Sequence, residues 1–276
     1  MTLDRRTTPA NSRVAASSLK GKVEAERFVE GDLMQCVAAA AGILDAPGGS
    51  RTSQLLYGAT FLGLEVHDGH VFGQCTRDGY CGYVLADLLA PAEEVTHWVA
   101  APQTHSYPGP DMKLAATGPL YFGSEVYVVS EAGDWSQLSS GDYVPAGHIL
   151  PLGQRLSDPV DVADLFLGSP YLWGGGTRYG VDCSGLVQAA WHGCGMDCPR
   201  DSDMQEADLG RTLTPDEVPE RGDLVFWKGH VGIVTAPNRL LHANAHHMSV
   251  VYEPLDEARA RIATSGGGEV TRIARP

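Results

Sequence analysis

Two textures of hydrophobic and polar positions follow one another along the chain, and the change falls near residue 153. Before it, short β-like runs are cut by Gly, Pro, Asp and Ser, as in "QLLYGATFLGLEVHDGHVFGQCTRDGYCGYVLADLL" and "GPLYFGSEVYVVSEAGDWSQLSSGDYVPAGHIL". That pattern predicts short strands and tight turns. After it, "DVADLFLGSPYLWGG" predicts a short helix from Asp161 to Leu167, stopped by Gly168 and Pro170. "DCSGLVQAAWHGCG" predicts a second helix ending at Gly193 or Gly195. In it, Cys183, Leu186, Val187, Ala190 and Trp191 fall at i, i+3, i+4, i+7 and i+8, which is one helical face. Three strands follow, "GDLVFW", "HVGIVT" and "LLHANA", separated by Lys228-Gly229 and Ala236-Pro237-Asn238. A helix followed by an antiparallel meander is an α+β arrangement.

The β-rich part repeats itself. Leu56-Tyr57 answers Leu120-Tyr121, Phe72-Gly73-Gln74 answers Trp135-Ser136-Gln137, and Tyr83-Val84 with Ala86 answers Tyr143-Val144 with Ala146. Offsets of about 60 residues fit two small all-β barrels in tandem, over 31–92 and 93–152. Residues 1–30 read as a polar, partly disordered lead-in, and 153–276 as the last domain. The chain's 276 residues suit two or three modest domains.

Composition narrows the partners. With 20 Lys+Arg against 34 Asp+Glu the formal net charge is −14, which argues against nucleic acid and anionic membrane. No stretch approaches the roughly 18 apolar residues of a membrane span, and the first residues carry no apolar secretory core. A cytoplasmic protein is the expectation. In a reducing compartment the six cysteines stay thiols, although Cys75 and Cys81 flank a turn and would be placed to pair in an oxidising one. Cys194 and Cys198, with His192 and Asp197, invite zinc. No second cysteine pair stands at finger spacing, so neither a metal nor any other cofactor is expected.

One cysteine is framed differently. In "GVDCSGLVQAAW" Cys183 sits between an acid and a Ser-Gly pair at a helix start, where a thiol pKa is ordinarily lowered. Its helical face should pack on the following strands, which carry His230 and His242. A cysteine hydrolase needs one histidine to take the thiol proton and a polar group to orient that imidazole. Cys183, His230 and His242 satisfy that requirement, with one geometric condition. The histidines share a sheet face only if paired residues have an even number sum, which an odd-length hairpin connection such as 236–238 provides.

In order, "SPYLWGGGTRYGVDCSGLVQAAW", "PRDSDMQ", "ERGDLVFW", "HVGIV" and "LLHANA" resemble the NlpC-type papain-like cysteine peptidases over roughly residues 160–255. The preceding barrels resemble bacterial SH3-like domains, each with a turn and an aromatic strand. The whole chain is similar to the cytosolic γ-D-glutamyl-L-diamino acid endopeptidases that recycle cell-wall peptides. The resemblance implies Cys183 as nucleophile, His230 as base and His242 as orienting residue. Tyr171 and the Cys183 backbone N–H would hold the oxyanion. Asp182, Ser184 and Ser202 would hold substrate. Asp182 is open to two readings, partner of a substrate ammonium or helix N-cap. Arg200 is likewise open, to a substrate carboxylate or to Asp201 or Asp203. Tyr80, in "DGYCGYV", would reach into the site and close one end of it, with Tyr83 in the barrel core. Relatives commonly carry an acid after "LLYG", where this chain has Ala59, and the 93–152 barrel lacks the "DGY" turn.

The expected activity is hydrolysis between γ-D-glutamate and meso-diaminopimelate or lysine in murein-derived tri- or tetrapeptides, with no protein partner. Two other readings stand beside it. One is a non-catalytic module that grips wall peptides, against which the intact Cys183, His230 and His242 argue. The other is a papain-like amidase or acyltransferase on another acyl group.

Overall fold

The computed structural model describes residues 3–276, which fall into two compact units, one ending at Gln154 and the other spanning Arg155–Pro276.

In the first unit the expected lead-in is folded. Strands Val14–Ala16 and Arg27–Val29 pair in parallel. Val14 and Ala16 are buried with Leu64 and Phe72. The Asn11 carboxamide accepts the N–H groups of Arg13 and Val14 at 2.9 Å and turns the chain into that contact. Arg13 and Arg27 both clamp Glu65, at 2.9 and 2.8 Å. Two apolar residues whose partners lie some fifty positions downstream leave too little local pattern to read.

Residues 32–91 form a seven-stranded antiparallel sheet in the order Arg51–Leu56, Ala40–Leu44, Cys81–Leu85, His70–Cys75, Thr60–His67, Asp32–Cys36, Leu89–Pro91. The "HDGH" turn behaves as its residues require. His67 pairs with His70, and the two corner residues Asp68 and Gly69 have φ of 47° and 70°, the left-handed region a two-residue hairpin demands. Cys36, Ile43, Leu55, Phe61, Val71, Tyr80 and Val84 make one core. Residues 97–151 make a separate core of Val99, Leu120, Val126, Leu138, Val144 and Ile149 beneath three small sheets. One stretch of the repeat has a counterpart in the structure. Cys81–Leu85, a 3-10 turn at Ala86–Leu88 and Leu89–Pro91 are matched by Tyr143–Pro145, Ala146–His148 and Ile149–Pro151. The expected closed barrels are not formed among the described residues. The larger sheet ends in unpaired edges at Arg51–Leu56 and Leu89–Pro91, and the later strands divide among small sheets.

The second unit is α+β. Asp158 accepts the Val160 N–H at 2.8 Å and starts the first helix at Pro159–Asp164, two residues before the expected start. The helix Cys183–Gly193 buries Leu186, Val187, Ala190 and Trp191, the face its periodicity predicts. A six-stranded antiparallel sheet runs in the order Arg211–Thr212, Arg272–Arg275, Leu224–Trp227, His230–Ala236, Arg239–Asn244, Ser249–Pro254. A last helix, Leu255–Thr264, packs Leu255, Ala258 and Ile262 onto Val225, Trp227, Val234 and Leu240. Among the described residues no helix is long and apolar enough to cross a membrane.

Candidate active site

The position of Cys183 follows from how its helix begins. Asp182 is the N-cap: its Oδ1 accepts the Gly185 N–H at 2.7 Å, and its Oδ2 accepts the Gly174 N–H at 2.8 Å. Arg200 grips the same carboxylate through both terminal nitrogens, at 3.0 and 2.7 Å, and donates to Ser184 Oγ at 2.9 Å. Asp182 and Arg200 are only 6% and 2% exposed, so this ion pair is built into the protein interior. Gly185 is required by close approach, since a Cβ there would lie 2.2 Å from the Gly175 carbonyl oxygen. Asp182 caps the helix and pairs with Arg200, and Ser184 belongs to the same buried cluster.

Cys183 is the first residue of that helix and is buried. The expected lowering of its pKa is not what the surroundings produce. Burial, then the Asp182 charge, push the thiol up to about 12, although the backbone N–H groups of Val231 and Ser184 reach the sulfur and pull the other way. Such a thiol reacts only through an adjacent base. Val231 directly follows His230, so the sulfur lies against the strand that carries the candidate base.

The two histidines are together. His230 Nε2 lies 3.0 Å from His242 Nδ1. The parity condition is met by a different route from the one expected. The connection is the even pair Pro237-Asn238, with Ala236 opposite Arg239 and Asn238 at φ 53°. That register would set the histidines on opposite faces. A β-bulge at Thr235 inserts one residue, so that Val234 pairs with Leu240 and Ile233 with Leu241, and the even sum is restored. The Trp227 ring packs 5.6 Å from that of His230 and walls the imidazole.

Sequence reasoning missed what lies behind His242. Its Nε2 is 2.9 Å from Glu253 Oε2, and Arg261 donates to both Glu253 oxygens at 2.8 and 2.7 Å. Val251 stands opposite His242, so period-two alternation along the strand Ser249–Pro254 would have placed Glu253 on the same face. Tyr171 is half-buried and fixed by its N–H on the Met248 carbonyl at 2.9 Å. Burial, then the charges of Cys183 and Asp182, raise its phenol pKa and keep it a hydrogen-bond donor. Ser202 is half-buried at the first position of the helix Ser202–Asp208. Tyr80 is packed in the first unit's core with Cys36, Phe61 and Cys75, whereas Tyr83 lies on Phe72 with ring centroids 5.0 Å apart. All six cysteines are free thiols, and no group of three or more metal-ligating side chains gathers among the described residues.

Burial is the main cause that drives His230 down to about 3 and His242 down to about 4, from an ordinary 6.5. Both are therefore neutral at pH 7. The unfolded chain takes up protons as pH falls below about 6.5 and the folded chain does not, so stability is lost as pH falls through that window. The Glu253 carboxyl, whose burial is outweighed by Arg261 and His242, is held below its ordinary 4.5 and acts lower in the range. Thermal melts of the wild type should therefore fall more steeply between about pH 6.5 and 4.5 than those of His242→Gln. Parallel slopes would contradict the buried neutral pair.

The fold is a papain-like NlpC/P60 fold with an SH3-like domain. A crystal structure of an NlpC/P60 family protein from Bacillus cereus superposes with a TM-score of 0.74 at 18% identity, over 88% of this chain and 99% of that one. The NlpC/P60 family matches residues 168–264, and the bacterial dipeptidyl-peptidase Sh3 domain matches residues 43–89. A probable endopeptidase NlpC of Escherichia coli is 37% identical over 109 residues, 34% of this chain and 70% of that protein. A gamma-D-glutamyl-L-lysine dipeptidyl-peptidase of Bacillus subtilis is 33% identical over 112 residues, which cover 37% of each chain. The chain belongs to the NlpC/P60 family. Its matches span little more than a third of the length of the Bacillus dipeptidyl-peptidases, 37% and 38%.

Proposed function

We propose that the chain is a cysteine peptidase acting on murein-derived tri- or tetrapeptides. It hydrolyses the bond between γ-D-glutamate and meso-diaminopimelate or lysine in peptides with a free N-terminal L-Ala. It does so as a cytoplasmic step of peptidoglycan turnover or recycling. The observation that carries this reading is the 3.0 Å contact between His230, on the strand against which the Cys183 sulfur lies, and His242 on the neighbouring strand. The dipeptidyl-peptidase names of the Bacillus relatives support the free N-terminus, because such an enzyme removes two residues from that end.

The steps assign one role to each group. His230 takes the Cys183 proton, and the thiolate attacks the γ-glutamyl carbonyl carbon. The Cys183 backbone N–H and the Tyr171 hydroxyl donate to the oxygen that becomes negative. His230 then returns its proton to the amine of the departing diamino acid, leaving a thioester. Water, deprotonated by the same imidazole, releases the dipeptide and restores the thiol. Ser202, at its helix start, is assigned to substrate. We read residues 93–152 as a second SH3-like module, on the strand, 3-10 turn and strand that end both segments.

The test compares L-Ala-γ-D-Glu-diaminopimelate with its N-acetylated form. The free peptide is expected to be cleaved at least about a hundredfold faster in kcat/KM, the ratio that about 3 kcal/mol of transition-state discrimination gives. Equal values would remove the free-amine requirement.

A further inference from the structure

We propose that Glu253, held by Arg261, is a positioning residue that decides which nitrogen of each imidazole carries the proton, and thereby leaves the lone pair of His230 on Nδ1. The inference rests on reading Cys183, His230 and His242 as a catalytic relay. Nothing in the quoted motifs reaches Glu253 or Arg261, which lie on the strand Ser249–Pro254 and the helix that follows it.

Arg261 donates to both oxygens of Glu253, so the carboxylate remains ionised and can only accept. His242 Nε2, at 2.9 Å from Oε2, must then carry a hydrogen. His242 is fully buried and neutral, so its Nδ1 is bare. A bare Nδ1 at 3.0 Å obliges His230 Nε2 to be the donor. His230 is neutral as well, which leaves Nδ1 as the basic nitrogen of the pair. Every proton in the relay thus has one allowed place, set by one carboxylate. Remove that carboxylate, and His242 is free to carry its hydrogen on Nδ1. It then donates to His230 Nε2, and His230 Nδ1 becomes protonated and useless as a base. The charged and titratable groups acting on the pair are Glu253, Arg261 and His247, and only Glu253 supplies an acceptor at His242 Nε2.

The test uses the full chain labelled with 15N-histidine, together with mass-spectrometric mapping of iodoacetamide alkylation at Cys183 at pH 7. In the wild type, both His230 and His242 are expected as Nε2–H tautomers. In Glu253→Ala, and in Glu253→Gln which keeps the volume, the Nδ1–H tautomers become populated. Alkylation of Cys183 then slows by about 10- to 100-fold, the usual effect of losing a group that orients an imidazole. Glu253→Asp restores part of the rate. On cleaved peptide, kcat falls while KM holds. A wild-type His242 protonated on Nδ1 would overturn the proposal, as would alkylation of Cys183 within twofold of wild type in either folded variant. Tautomer and alkylation readouts need no substrate, so a protein that cleaves no murein peptide would defeat the functional reading and leave this test intact.

Discussion

Cys183→Ala will abolish peptide cleavage while the protein keeps its fold. Loss of a nucleophile that works as a unit with its base costs on the order of 10⁶-fold in kcat, and loss of either partner alone costs nearly as much. Cys36, Cys75, Cys81 and Cys198 are buried, and Cys36, Cys81 and Cys198 donate to backbone carbonyls. The thermal midpoint of the variant should match or exceed that of the wild type. Burial disfavours the thiolate, so removing one sulfur atom strands no charge. Cleavage within tenfold of wild type would remove the cysteine mechanism.

Arg200 carries the second large effect, and on stability. Arg200→Met removes the cation from a carboxylate that is 6% exposed, and leaves Asp182 charged and buried with only backbone and hydroxyl donors. Breaking one side of a buried pair costs about 3–5 kcal/mol. For a unit of this size that lowers the melting midpoint by roughly 10 °C or more. Asp182→Asn combined with Arg200→Met should recover part of the loss, because asparagine still caps a helix and no charge is stranded. A single variant within about 1 kcal/mol of wild type, or a double variant no better than the single, would show that the pair does not hold the nucleophile's helix.

What could be read from the sequence depended on the range over which each feature is specified. The helix Cys183–Gly193 was legible because five residues repeat at helical spacing and a capping acid precedes them. The "HDGH" hairpin was legible because only a few residue pairs tolerate two left-handed corners. The set Cys183, His230 and His242 was legible as residue types, but its geometry was not. The Pro237-Asn238 turn alone would separate the histidines, and the bulge at Thr235 that reunites them carries no glycine or other local mark. Arg200's grip on Asp182 could not be found from local spacing, because the fold brings Asp182 to it across eighteen positions. Burial was equally hidden. A helix start favours a thiolate, yet desolvation dominates at Cys183, and only packing reveals how dry the site is. The N-terminal segment and Glu253 were missed for a related reason, since each acts through one or two residues whose partners lie elsewhere in the chain.

The bond that is broken tests the account most directly. L-Ala-γ-D-Glu-diaminopimelate incubated with the full chain should yield L-Ala-D-Glu and free diaminopimelate, identified by mass spectrometry. Release of L-Ala with the remaining dipeptide, or no release from folded protein with its Cys183 thiol intact, would contradict it.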